Sequence, residues 1–256
     1  MIATWLIILA SIVSFFAGFI DAVVGGGGLL QVPLLFILFP NMAPVNIIAT
    51  NRFASIGGTS IAALHYLKNV KVHVKYIFVA GVFVAAASYS GTFLISKIPV
   101  HIFKPLLFVI ILILTIYTFL KKEIGQVDKK AISKNVYSLF ASIGIFIGLY
   151  NGTIGPGTGT LLVFALVQLV GFNFLKASAY AKVINAIADA ASLLAFFLQK
   201  AVVFKMALPM MGANMLGAYV GSKMAIKKGN QFIRIFFIFI MIILLARLGW
   251  DILLPK

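Results

Sequence analysis

Apolar runs long enough to cross a lipid bilayer recur along this chain, and they constrain its fold more than any other feature. They cover Ile2–Val24, Val74–Ser96, Phe103–Leu120, Val136–Ile154, Val183–Leu198, Met206–Val220 with its flanks, and Phe232–Leu254. A stretch of about 20 apolar residues crosses the hydrocarbon core as a helix, because a helix satisfies every backbone polar group within one segment. Only 10% of the 256 residues are charged, where a soluble domain carries about 25%; mean hydropathy is +1.13. The pattern predicts an all-α polytopic membrane protein with about 8–10 membrane segments, multi-pass in the cell (inner) membrane. Met1–Phe16 lacks a basic leader region, so it reads as a retained first helix rather than a signal peptide.

The chain has no cysteine, which excludes disulfides, thiolate metal sites and thiol catalysis. Its net charge of +16 sits mostly in short loops between the apolar runs, as topology-setting charge does in membrane proteins. No nucleic-acid partner is expected, because no basic helix interleaved with aromatics stands out. His65, His73 and His101 have no metal-ligand spacing, so no metal and no cofactor is expected. Trp5 and Trp250 lie near run ends, as interfacial anchors do.

Within this apolar chain, special positions recur. Gly18, Gly25, Gly27 and Gly91 find glycines at 148, 155, 157 and 221; Asp21 meets Asn151, Arg52 meets Lys182, and Lys104 meets Arg234. Every pair is 130 residues apart, and self-similarity at a fixed offset marks an internal repeat. The division is residues 1–120 as an N-terminal membrane repeat, the basic segment 121–135 (KKEIGQVDKKAISKN) as a cytoplasmic linker, and 136–256 as a C-terminal repeat. Each half opens with a full-length run ending in a glycine cluster, then a short apolar piece, Leu29–Phe39 or Leu161–Val170. Longer helices follow over roughly 44–66, 73–96 and 101–120, and over 175–198, 203–225 and 231–254. The short pieces cannot cross alone at 1.5 Å per residue. They either re-enter, which makes the halves parallel, or complete a crossing, which inverts them. Loop charges tip toward inversion, with Lys223, Lys227 and Lys228 deciding most of the difference.

The clusters VVGGGGLLQVP and NGTIGPGTGTLL interrupt helices where irregular backbone is tolerated only inside protein or beside a water-filled cavity. A new helix then starts near Gly27–Leu29, and a second near Thr158 or Thr160, either of which would cap it. Two such N-termini at membrane depth make an anion site, since free amides and positive dipole ends point the same way. The candidate site residues are Gly25, Gly26, Gly27, Gly28, Asn51, Arg52, Gly155, Pro156, Gly157, Thr158, Lys182 and Asn185. Gly144, Gly148, Gly152, Gly217 and Gly221, by contrast, follow the small-residue spacing of helix packing. Arg52 and Lys182 lie within helical runs, and a cation there is costly unless paired or functional. Asp21 and Asp189 are two of five acids, and either pair with these cations or carry a proton. Asn151 and Thr50 add neutral polar groups; Gln31 sits in the first short piece without a clear part.

GFIDAVVGGGGLLQVPLL with ATNRFASIGGTSIAALHY, and IGLYNGTIGPGTGTLL with AYAKVINAIADAASLLAFF, resemble the TauE/SafE family of anion transporters, often called sulfite exporters. The resemblance covers nearly the whole chain. It implies transport of small sulfur-containing anions such as sulfite, thiosulfate or organosulfonates across the inner membrane. The family's glycine-rich motifs fall on Gly25–Gly28 and Gly155–Gly157, and its basic positions on Arg52 and Lys182. Arg52 stands where a Lys is the more usual expectation, and only Arg grips an oxyanion bidentately.

The resulting expectation is a secondary transporter or exporter of a small oxyanion working by alternating access between two repeats. The lipid bilayer, the anion, a proton as possible coupling ion and a possible homo-oligomer are the partners. An anion channel or a non-transporting scaffold subunit fits the same chain. An enzyme does not, since the sequence holds no Gly-x-Ser-x-Gly, no His-Glu-x-x-His and no thiol.

Overall fold

The computed structural model of the chain describes residues 3–94, 112, 125–128 and 135–253. The helix expected over 101–120, with His101 and Lys104, and most of the linker lie outside the described residues. Among the described residues the fold is all helical. The helices are α1 (Thr4–Val24), α2 (Gly27–Leu38), α3 (Pro44–Asn69), α4 (Val74–Thr92), α5 (Val136–Thr153), α6 (Thr158–Ala165), α7 (Phe174–Leu198) and α8 (Phe204–Leu253). A π turn over Leu166–Val170 lengthens α6. Gly229, with φ 70°, breaks α8 into two arms, 204–228 and 230–253, matching the separate runs expected there.

Four of these helices, α1, α4, α5 and α7, are long and apolar enough to cross a membrane. Their outward faces make the same point. Trp5, Ile8, Ile12 and Phe16 form an exposed stripe on α1, and Phe78 (70%) and Val82 stand out from α4. Apolar patches of this kind are stable against lipid, not water. The helices instead bury small and polar residues inward.

Both breaks turn the chain back on itself. From Gly27, α2 runs back along α1: a Cβ on Gly27 would strike Ala17 O, Gln31 bonds Ser14 at 2.6 Å, and Leu35 packs in the same cluster as Ala10. After α6, Phe172 stands 6.3 Å ring to ring from Phe140, near the start of α5. α3 then begins beside α1's outer end, with Ile47 in the Ala10 cluster, and finishes with the Tyr66 hydroxyl donating to Ala22 O.

Two long helix pairs hold these hairpins, α1 against the first arm of α8 and α5 against α4. Glycines let the main chains touch. A Cβ on Gly18 would strike Asn214 O and one on Gly221 would strike Phe19 O; the corresponding positions 130 away behave likewise, Gly148 against Val84 O and Gly91 against Leu149 O. Gly144, Gly152 and Gly217 meet main-chain oxygens of Ala80, Ser88 and Phe15. Close approach of this kind is how small residues bind helices where lipid removes the hydrophobic drive.

Candidate functional site

The two glycine breaks meet each other at the centre of the molecule. Gly25 (φ 85°) closes α1, and its carbonyl accepts the Thr160 N–H at 3.0 Å from the start of α6. A Cβ on Gly25 would overlap the Gly159 main chain, so this glycine serves both the left-handed turn and the contact. Gly28 lies against Pro156, 3.3 Å from its Cα to a built Cβ. The glycine clusters therefore spend more of their residues on packing than the sequence suggested.

Beside this seam lies a small polar hollow, partly open to its surroundings. Of the candidate residues, Asp21, Gly25, Gly28, Asn51, Arg52, Gly155, Pro156, Gly157, Thr158, Asn185 and Asp189 line it; Ser55, Thr59 and Gly159 join them. Gly26, Gly27 and Lys182 are not part of its lining. Ser55 and Thr59 share a face of α3 with Arg52, at spacings of three and seven, and that periodicity was the available signal for them. Gln31, bonded to Ser14, and Thr50, which accepts the Val203 N–H at 3.1 Å, are engaged elsewhere.

Helix geometry leaves the first-turn amides of α2 and α6 without acceptors in their own helices. Leu29 N–H folds onto Gly26 O, and Thr158 N–H onto Gly155 O. The expected threonine caps are replaced: neither helix has a side-chain cap, and the Thr158 hydroxyl donates to Gly155 O at 2.6 Å. The amides of Gly27, Gly28 and Gly159 are left as donors by this count.

The two cations are anchored across the seam in matching ways. Arg52 of α3 donates Nη2 to Asn151 O at 2.7 Å, in the last turn of α5. Lys182 of α7 donates to Asp21 O, in the last turn of α1. Each thus neutralises the negative end of a helix that stops at the break, where the dipole favours a cation. Each also holds a carboxylate: Arg52 Nη1 lies 2.5 Å from Asp189 Oδ1, and Lys182 Nζ 3.0 Å from Asp21 Oδ2. The Asn151 amide donates to Asp189 at 3.0 Å and receives the Ser88 hydroxyl at 2.8 Å; Thr59 reaches Asp21 at 3.4 Å. Arg52 faces the hollow, whereas Lys182 is fully buried behind it. Asn51 Oδ1, Asn185 Oδ1 and Arg52 Nε are buried without a partner, so the wall of the hollow keeps unused donors and acceptors. No group of three metal-ligating side chains occurs among the described residues.

Fold and site together define a helical membrane protein built around a buried, charge-paired polar hollow. The family described as sulfite exporter TauE/SafE matches residues 10–248, and the chain belongs to it. A probable membrane transporter protein of Haemophilus influenzae is 37% identical over 240 residues, covering 93% of this chain and 92% of that one. The probable membrane transporter protein YfcA of Escherichia coli K12 is 32% identical over 243 residues, 93% of this chain and 88% of its own. YdhB of Bacillus subtilis, also a probable membrane transporter protein, is 24% identical across 83% of this chain and 87% of its own. No solved structure matches the chain. Membership and relatives make this a membrane transporter.

Proposed function

We propose that the protein moves a small oxyanion, sulfite or a related sulfur-containing oxyanion or organosulfonate, across the inner membrane by rocking two inverted repeats about the central seam. It is not an enzyme. The observation that carries the reading is Arg52: a buried guanidinium facing a hollow whose walls also offer helix-start amides. Gly25, Gly28, Gly155, Pro156, Gly157, Thr158, Asn51 and Asn185 surround the anion in this reading, with Gly26 and Gly27 shaping the turn and Lys182 supplying charge from behind. The proton is its coupling ion, and a homo-oligomer is compatible with the exposed apolar faces.

Inversion is supported by direction. Each hairpin returns toward the side where it began, and the three further runs expected in each half would then carry the chain to the opposite face. The matched contacts of Gly18 and Gly148, and of Gly221 and Gly91, support a two-fold relation between halves. With no native cysteine, Ala3→Cys and Asn135→Cys can be labelled singly, and the reading requires labelling from opposite sides; labelling from one side rejects inversion. For function, flux into proteoliposomes is compared for sulfite, thiosulfate, sulfate and small sulfonates. Arg52→Gln should abolish the flux of the accepted anion. No flux of any, or unchanged flux in Arg52→Gln, defeats the reading.

A further inference from the structure

Arg52 is already partly occupied. Nη1 is bonded to Asp189 and Nη2 to Asn151 O, leaving Nε unpartnered. Asn151 O is main chain and cannot withdraw without unwinding the last turn of α5. Asp189 is a side chain. Of the five N–H groups of the guanidinium two are taken, and an anion that grips the fork through Nη1 displaces the Asp189 carboxylate. The cluster is also balanced: Arg52 and Lys182 offset Asp21 and Asp189, with side-chain exposures of 7%, 0%, 16% and 3% respectively. An added anion leaves one negative charge in excess inside protein, and buried groups answer such an excess by taking a proton.

We propose that Asp189 takes up one proton from water each time a monovalent anion docks on Arg52, and releases it when the anion departs. This rests on the anion-transport reading and specifies what travels with the anion. The Arg52–Asp189 ion pair opens, an Arg52–anion pair forms, the proton adds to the carboxylate, and the net charge is unchanged.

The surroundings of Asp189 suit both states. Facing it are Arg52 from α3, Asp21 as a second negative charge from α1, and the Asn151 amide from α5, with the Tyr150 phenol near Arg52. Ser88 of α4 and Thr158 of α6 reach it through Asn151. On α7 itself, Asn185 Nδ2 donates to Asp189 Oδ2 at 3.2 Å, while Asn185 Oδ1 has no partner. Turning that amide over would offer Oδ1 to a new Asp189 O–H, so one side chain serves the ionised and the protonated acid. Asp21 lacks this freedom. Its cation, Lys182, is outside the lining of the hollow and also holds Asp21 O, so no ligand reaches Lys182 to release the carboxylate.

The test uses purified protein in detergent, weakly buffered, with a pH indicator and sodium methanesulfonate, which brings no proton of its own. Wild type should take up one proton per anion bound, and its affinity should fall about tenfold per pH unit on the alkaline side. Asp189→Asn should bind without proton uptake and without pH dependence; in proteoliposomes it should exchange anions yet not accumulate them on an acid-outside gradient. Asp21→Glu, which keeps the charge of the cluster, should still take up one proton for each anion bound. Where Asp189→Asn does not fold, Asp189→Glu should move the midpoint of the pH dependence and Asp21→Glu should not. Binding by wild type without proton uptake, or uptake that survives Asp189→Asn, overturns the inference alone. Failure of wild type to bind methanesulfonate, sulfite or thiosulfate overturns the transport reading and the inference with it.

Discussion

The Arg52 and Lys182 corners of the molecule are built alike and placed differently. In both, a cation on a long helix reaches across the seam to the last-turn carbonyl of a helix 130 residues removed in register, Asn151 for Arg52 and Asp21 for Lys182. In both, that helix-end residue is bonded to the residue that follows the other half's cation by seven, Asp189 in one case and Thr59 in the other. The acid has changed sides between them: at the Arg52 corner it is Asp189 on α7, the helix that carries the other cation, and at the Lys182 corner it is Asp21 on the broken helix itself. One corner has a fork-shaped cation open to the hollow, and the other has its cation closed off from it. The difference teaches that the shared scaffold fixes where charge must sit, while single residues decide whether that charge is available to a ligand.

The comparison can be broken at its shared seam. Gly25→Leu puts a side chain into the Gly159 main chain at a φ of 85°; a loss above about 4 kcal/mol is expected, the range of exceptional substitutions. No monodisperse protein should be recovered by size-exclusion chromatography. Next, Lys182→Met should lower the thermal midpoint of the detergent-solubilised protein by the equivalent of about 3 kcal/mol, the low end for breaking a buried pair. Adding Asp21→Asn should recover much of that loss. Arg52→Gln, with its hydrogen-bonding capacity partly retained and the hollow beside it, should lose less stability than Lys182→Met. The reverse order would mean that the open and closed corners are misassigned. Thr59→Val removes only a long bond to Asp21, 3.4 Å, and should cost about 0.5 kcal/mol in the same melt.

The smallest effect belongs to an exposed pair that calibrates the buried ones. Asp128 and Lys176 meet at 2.9 Å on the surface, where such pairs contribute about 0–1 kcal/mol. Partial burial pushes the Asp128 carboxyl up, but the Asn173 N–H and the Lys176 ammonium outweigh it and hold it below the usual carboxylate range. A folded-state pKa below the unfolded one stabilises above about pH 4 and loses that contribution as pH falls through the folded value. Asp128→Asn should therefore melt slightly lower than wild type at neutral pH, with the gap closing below about pH 4.

Membrane character was legible because nearly every helix carries its own apolar run, and the breaks were legible because Gly25, Gly155 and Gly157 hold φ near +85 to +89° inside such runs. The start of α2 at Gly27 followed from the same pattern. What the chain did not disclose was which acid meets which cation. Two cations and two acids allow two matchings, and the choice depends on helices 137 and 161 residues apart in sequence. Nor did it disclose that Lys182 is closed in while Arg52 is not, since the two occupy equivalent positions. The expected threonine caps are absent for a local reason: a third glycine, Gly157, with φ 89°, takes the cap position and frees Thr158 to bond Gly155 instead.

The link from the Thr160 amide to the Gly25 carbonyl has a consequence for any motion of one half against the other. Both atoms belong to the polypeptide backbone, so no exchange of side chains short of a proline at Thr160, which lacks the N–H, deletes the tie. Displacement is smallest near such a fixed point and grows with distance from it. The polar hollow, lying next to this axle, would experience rotation with little translation, and under the proposed rocking a modest tilt would be enough to change which side of the bilayer it faces.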